Sequence, residues 1–139
     1  MTTKEDKRLY LIDAYAMIFR GYYAFIKNPR LSSKGLDTSA IFGFTNSLIE
    51  LIKRESPPHL AVVFDVGKAN VRTEDFSEYK ANRAETPEAI KIAVPYIHQI
   101  LEAMHIPILG MEGYEADDVI GTIAVKAEKQ GYQVFMVTP

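Results

Sequence analysis

The chain contains no cysteine and no tryptophan. Without cysteine there is no disulfide, no thiolate zinc site and no cysteine nucleophile. No apolar run approaches the roughly 20 residues that a membrane-spanning helix needs. The opening MTTKEDKR is of mixed charge and leads into a short apolar run, unlike a secretory signal, so a cytoplasmic location is expected. Neither sign of charge dominates: 16 basic and 18 acidic residues leave a formal net charge of −2. The basic excess of many nucleic-acid binders is therefore missing, although net charge averages over a surface and hides local segregation. Repeats, low-complexity tracts and linkers are also lacking. What remains is a 139-residue chain, 47% hydrophobic and 24% charged, enough for one domain with a real core.

Periodicity divides the chain into alternating elements. Leu9 to Ile12 is a short apolar run that reads as a buried strand closing on Asp13. Tyr15 to Ile26 reads as a helix, and Asn28 to Asp37, with Pro29, Ser32, Ser33 and Gly35, as a loop. Thr38 or Ser39 can cap a second helix, in which Ile41, Phe42, Leu48, Ile49, Leu51 and Ile52 recur at helical spacing until Pro57-Pro58. LAVVF, residues 60 to 64, is the clearest strand and also ends in an aspartate, Asp65. A polar, aperiodic stretch runs from Val66 to Glu85. Thr86-Pro87-Glu88 predicts a helix start with Thr86 as cap and Pro87 in the first turn; Ile90, Val94, Ile97, Ile100, Leu101 and Met104 mark its apolar face, and Pro95 is a cost inside it. Ile106 to Leu109 predicts a third strand. A helix through Val119, Ile120, Ile123, Ala124 and Ala127 follows, closed by Gly131, and Tyr132 to Val137 predicts a fourth strand. Strands alternating with helices predict an α/β fold whose central, mainly parallel sheet is flanked by helices.

The acids carry the chemistry. Ligand sites of open α/β sheets form beyond the carboxyl ends of the strands. Asp13 and Asp65 sit there, and Glu115, Asp117 and Asp118 follow the third strand to the same edge; with Glu112 they form a dense acidic segment. Unit charges about 4 Å apart repel by about 4 kcal/mol at an effective dielectric near 20, a cost that divalent cations remove. Oxygen ligands without His or Cys favour Mg²⁺ or Mn²⁺ over Zn²⁺. Taken singly, each acid is as well explained as a helix first-turn or strand-end residue, favoured by about 0.3–1 kcal/mol through the helix dipole. Three separate segments converging on one edge favour metal binding. His59, His98 and His105 have no metal-ligand spacing.

The motifs LYLIDAYAMIFRGYYAF, AVVFD, FSEYKANRAETPE and IPILGMEGYEADDVIGTIA, in this order, carry a resemblance. From about Arg8 onward the sequence resembles the 5′→3′ exonuclease domain of bacterial DNA polymerase I, of the flap endonuclease group; EYKANR and GYEADDVIGT are its most specific parts. The resemblance implies a PIN-like three-layer fold and a structure-specific 5′-nuclease that hydrolyses DNA with Mg²⁺ or Mn²⁺, two ions in the intact domain, in replication and repair. It implies that Asp13, Asp65, Glu115 and Asp117 are metal ligands, with Asp118 a ligand or close behind. It further implies that Lys80 and Arg83 reach the scissile phosphate, that Arg20 and Arg72 contact other phosphates, and that Phe19 stacks on a terminal base. Residue chemistry agrees, since cations and guanidinium groups stabilise charge growing on phosphate oxygens and aromatic faces offset unstacking. Yet Lys68 to Lys91 is no basic patch, being balanced between acids and bases, and Phe19, Tyr22, Tyr23 and Phe25 are residue types that also serve as core. Tyr79 and Tyr114 are expected to pack.

In the family, further acids follow the fourth strand and hold the second metal, and an element gripping duplex DNA lies beyond them, ahead of the polymerase domains. Residues 1–139 are thus expected to be the N-terminal part of a 5′-nuclease domain, incomplete at its C-terminus and weakly active or inactive alone. Phosphatases that begin with a strand and an aspartate are a poor alternative, because their second aspartate would fall at Tyr15. A non-catalytic nucleic-acid-binding PIN-like module remains as the alternative, and EYKANR argues against a PIN-like ribonuclease.

Overall fold

The computed structural model describes residues 6–65, 86–111 and 113–137. They form β1 (Arg8–Asp13), α1 (Ala14–Ala24), α2 (Ser39–Glu55), β2 (His59–Val63), α3 (Glu88–Ala103), β3 (Ile108–Leu109), α4 (Ala116–Lys129) and β4 (Gln133–Val137). The strands lie in the order β3-β2-β1-β4, and every pairing between them is parallel. In β1, Leu9 lies between His59 and Val134, and Ile12 between Val62 and Val137. Parallel neighbours require crossovers, and the helices supply them.

Alternation along the strands splits the apolar residues between two faces. Tyr10, Ile12, Val62 and Phe64 join the buried side chains of α1, α2 and α3, among them Ile18, Phe44, Leu48, Ile97 and Leu101. Leu11, Ala61 and Val63 meet Ala116 and Ile120 of α4 on the other face. The result is the expected three-layer arrangement, with unequal outer layers. Helices α1 and α2 touch backbone to backbone at Gly21 and Gly43: a Cβ built on Gly21 would lie 2.9 Å from the Gly43 carbonyl carbon.

At the amino edge of the sheet, Arg8 is gripped by the Asp6 carboxylate and donates to the Glu55 carbonyl at the end of α2. The Tyr10 hydroxyl donates to Glu55 Oε1 at 3.0 Å. That bond first, and Arg54 second, hold the Glu55 carboxyl below its ordinary value.

Several boundaries differ from the sequence expectation. Thr38 stands at the start of α2 without capping it; its hydroxyl donates to the Arg30 carbonyl, while Asp37 accepts from the Ser39 N–H at 2.9 Å. Pro87, and not Thr86, occupies the N-cap position of α3, again without a side-chain cap. Met104 is the C-cap residue of α3 and is exposed, so it leaves the apolar face. The third strand shrinks to two residues, although the Pro107 carbonyl still accepts from Val62 N–H at 3.0 Å; proline lacks the N–H with which a longer ladder would continue. Gly131 has φ +88 just after α4, as a helix stop requires.

Candidate active site at the carboxyl edge of the sheet

Asp13 is the last residue of β1 and also the N-cap of α1, where its carboxylate accepts from Ala16 N–H at 3.3 Å. Asp65 lies two residues beyond β2 and accepts from the backbone N–H of Ala116, the first residue of α4. Glu115 is the N-cap residue of α4 with extended backbone, and Asp117 lies in its first turn. Asp13, Glu115 and Asp117 therefore have a local reason for their places at the positive ends of helix dipoles, whereas the bond of Asp65 reaches a segment 51 residues away. The tertiary structure adds the convergence. Asp13, Asp65, Glu115 and Asp117 line one cleft of about 830 Å³ at the carboxyl edge of the sheet.

Asp118 does not join them. It borders a second cleft, of about 690 Å³, with Met111, Tyr114, Thr122 and Lys126. Successive helical residues point about 100° apart, so Asp117 and Asp118 face different clefts. Helical geometry applied to ADDV would have shown this from sequence. Tyr114, expected to pack, is 48% exposed. Phe19 does line the acidic cleft, half-buried against the main core. Arg20 is exposed and stands outside the cleft lining. Arg72, Tyr79, Lys80 and Arg83 lie outside the described residues. The histidines serve packing and turns: His98 lies 4.3 Å from the Phe64 ring, His59 meets Tyr132 edge-on, and His105 takes a positive φ.

Among the cleft residues not singled out by sequence for this place, Tyr15, Tyr23, Thr86 and Lys91 carry polar side chains. Tyr23 had a signal, being one helical turn beyond Phe19. Lys91 had none, because only packing brings α3 to the acids. All donors in the acidic set are carboxylate oxygens, the type a hard divalent cation takes. Among the described residues no three acids stand close enough together to hold one ion. Mg²⁺ commonly uses one or two carboxylates and completes its shell with water and substrate phosphates, so the donor set fits that kind of loose site and not a closed cage.

Fold and cleft together define an open parallel α/β domain with an acidic ligand edge. The sequence model of the 5′-3′ exonuclease N-terminal resolvase-like domain matches residues 8–139, and the chain belongs to that family. DNA polymerase I of Bacillus caldotenax is 40% identical over 133 residues, which cover 95% of this chain and 15% of that protein. A 5′-3′ exonuclease of Aquifex aeolicus is 39% identical over 133 residues, covering 96% of this chain and 45% of the relative. The chain thus spans less than half the length of these relatives. Among solved structures, a bacteriophage T5 5′-exonuclease with bound zinc matches with a TM-score of 0.55 at 24% identity, covering 94% of this chain and 48% of that one. A T5 flap endonuclease in a pseudo-enzyme–product complex with DNA and metal ions matches equally well, at 0.55 and 24%, with the same coverage. These likenesses show the PIN-like fold that the resemblance implied.

Proposed function

We propose that the chain is part of a metal-dependent nuclease that hydrolyses DNA phosphodiester bonds at 5′ ends and flaps, within a DNA polymerase I or a related exonuclease. The observation that carries this reading is the delivery of Asp13, Asp65, Glu115 and Asp117 to one cleft by three separate segments. The names of the relatives, and the DNA and metal ions of the T5 complex, support it. In this reading the four acids hold Mg²⁺ or Mn²⁺, which would neutralise charge growing on the phosphate oxygens. Phe19 offers a ring at the cleft wall, Arg20 and Arg72 contact neighbouring phosphates, and Lys80 and Arg83 reach the phosphate being cut. Asp118, turned to the other cleft, acts at most from behind.

The test is thermal unfolding of the 139-residue chain with Mn²⁺ or Mg²⁺. An ion at 100 times its dissociation constant stabilises by about 2.7 kcal/mol. Asp65→Ala and Asp117→Ala are expected to abolish that stabilisation. Stabilisation that survives both substitutions would overturn the reading. That no three acids among the described residues stand close enough to hold one ion favours one second reading, a non-catalytic nucleic-acid-binding module of the same fold. That module would bind a 5′-flap duplex with no metal-dependent shift at all.

A further inference from the structure

The acidic cleft is also lined by an aromatic residue and a cation, each from a different helix. Tyr23, on α1, is 53% exposed yet held in orientation. It stacks on Phe19 at 6.3 Å and 24° and meets Tyr22 edge-on at 5.2 Å. Phe19 is itself packed against the main core, so a half-buried ring supports a more exposed one. A surface tyrosine kept only for solubility needs no such support. Lys91, on α3, follows the fully buried Ile90 and is exposed in the same cleft. Its ammonium is in none of the ion pairs of the described residues, which join Arg8 to Asp6 and Arg54 to Glu50 and Glu55. Although Lys91 lies in a cleft lined by four carboxylates, it makes no salt bridge to any described residue.

We propose that Tyr23 and Lys91 together seat one nucleotide of the DNA at the cleft, the ring stacking on its base and the ammonium meeting its phosphate. This rests on the nuclease reading above and names the part of the substrate that these two side chains hold. Stacking on an aromatic face is indifferent to base identity, and a lysine contact to phosphate carries no sequence information. The seat therefore recognises a single-stranded nucleotide by its chemistry and not by its sequence.

The experiment uses the 139-residue chain and a fluorescent 5′-flap duplex protected from cleavage by phosphorothioate linkages, with affinity followed by anisotropy over a range of salt. Lys91→Ala is expected to weaken binding roughly five- to ten-fold at low salt and to reduce the slope of log affinity against log salt by about one. Tyr23→Ala is expected to weaken it about ten-fold with the slope unchanged, and Tyr23→Phe to bind like the original chain. Lys91→Ala and Tyr23→Phe should keep the metal-free melting temperature, whereas Tyr23→Ala, which removes ring contacts to Phe19 and Tyr22, should lower it slightly. If either alanine variant binds as tightly as the original, or if Lys91→Ala leaves the salt slope intact, the proposal is overturned while the nuclease reading stands. Failure of the unsubstituted chain to bind the duplex overturns the proposal, while the nuclease reading is decided separately by the metal-dependent stabilisation.

Discussion

On one face of the sheet, α1, α2 and α3 enclose fifteen buried apolar side chains among the described residues; on the other, α4 and the strands enclose five. The acidic cleft draws on both faces. Asp13 and Asp65 stand at the ends of strands clamped by the thick core, whereas Glu115 and Asp117 ride on the lightly packed α4. Hydrophobic stabilisation scales with buried area, so among the described residues α4 is the half of the site with the smaller core behind it. Its first turn is fastened to the better-held half by the bond from Ala116 N–H to the Asp65 carboxylate. One aspartate thus serves as a candidate ligand and as the latch between the two layers. The lesson is that rigidity in this site is inherited unequally from the two cores.

Substitutions can strain this contrast from both sides. The largest effect is expected for Phe44→Ala in the thick core: Phe44 is fully buried, and such truncations cost about 3–5 kcal/mol. Ile120→Ala in the thin core is expected at the lower end of the roughly 2–5 kcal/mol typical of Ile→Ala, because fewer side chains surround the void. Chemical denaturation gives both numbers. An Ile120→Ala cost equal to or above that of Phe44→Ala would break the comparison. Asp65→Ala comes next, at about 0.5–2 kcal/mol, the range for losing a side-chain acceptor on a helix N–H. Hydrogen exchange should show the loss concentrated at the start of α4, and protection unchanged there would mean that Asp65 is no latch.

The smallest effect is expected away from both cores, at Glu55→Gln. Its folded carboxyl titrates below the ordinary 4.5, chiefly because the Tyr10 hydroxyl donates to it and secondly because of Arg54. A depressed carboxyl contributes stability above its unfolded value, and that contribution disappears as pH falls through the lowered folded value. Glu55→Gln should therefore lower the melting temperature slightly at neutral pH and leave it unchanged in acid well below 4.5. A difference that persists undiminished in acid would assign the effect to packing instead.

How far each element could be read in advance follows from the range of the forces that place it. The runs around Leu11 and Val62 are short, apolar and β-branched or aromatic, so strands were plain there, and the parallel sheet followed from their alternation with helices. Helix starts were less legible. Thr38 and Thr86 are good capping residue types, but tertiary contacts redirect the first to the Arg30 carbonyl and move the start of α3 past the second. The third strand was overestimated because Pro107 interrupts its ladder. In the site, Asp13 and Asp65 were legible as strand-end acids. Asp118 was grouped with Asp117 by proximity in sequence, where helical geometry separates them.

By itself, then, the amino-acid sequence determined the alternation of strand and helix, the all-oxygen character of the acidic set, and the absence of any thiol chemistry. Those properties depend on residue type and on spacing over a few residues. Only the tertiary structure decided that four acids from three segments share one cleft and that Lys91 stands beside them. The physical reason is that the helices carrying them are positioned by burial of Ile18, Ile97 and Ile120, none of which lines the cleft.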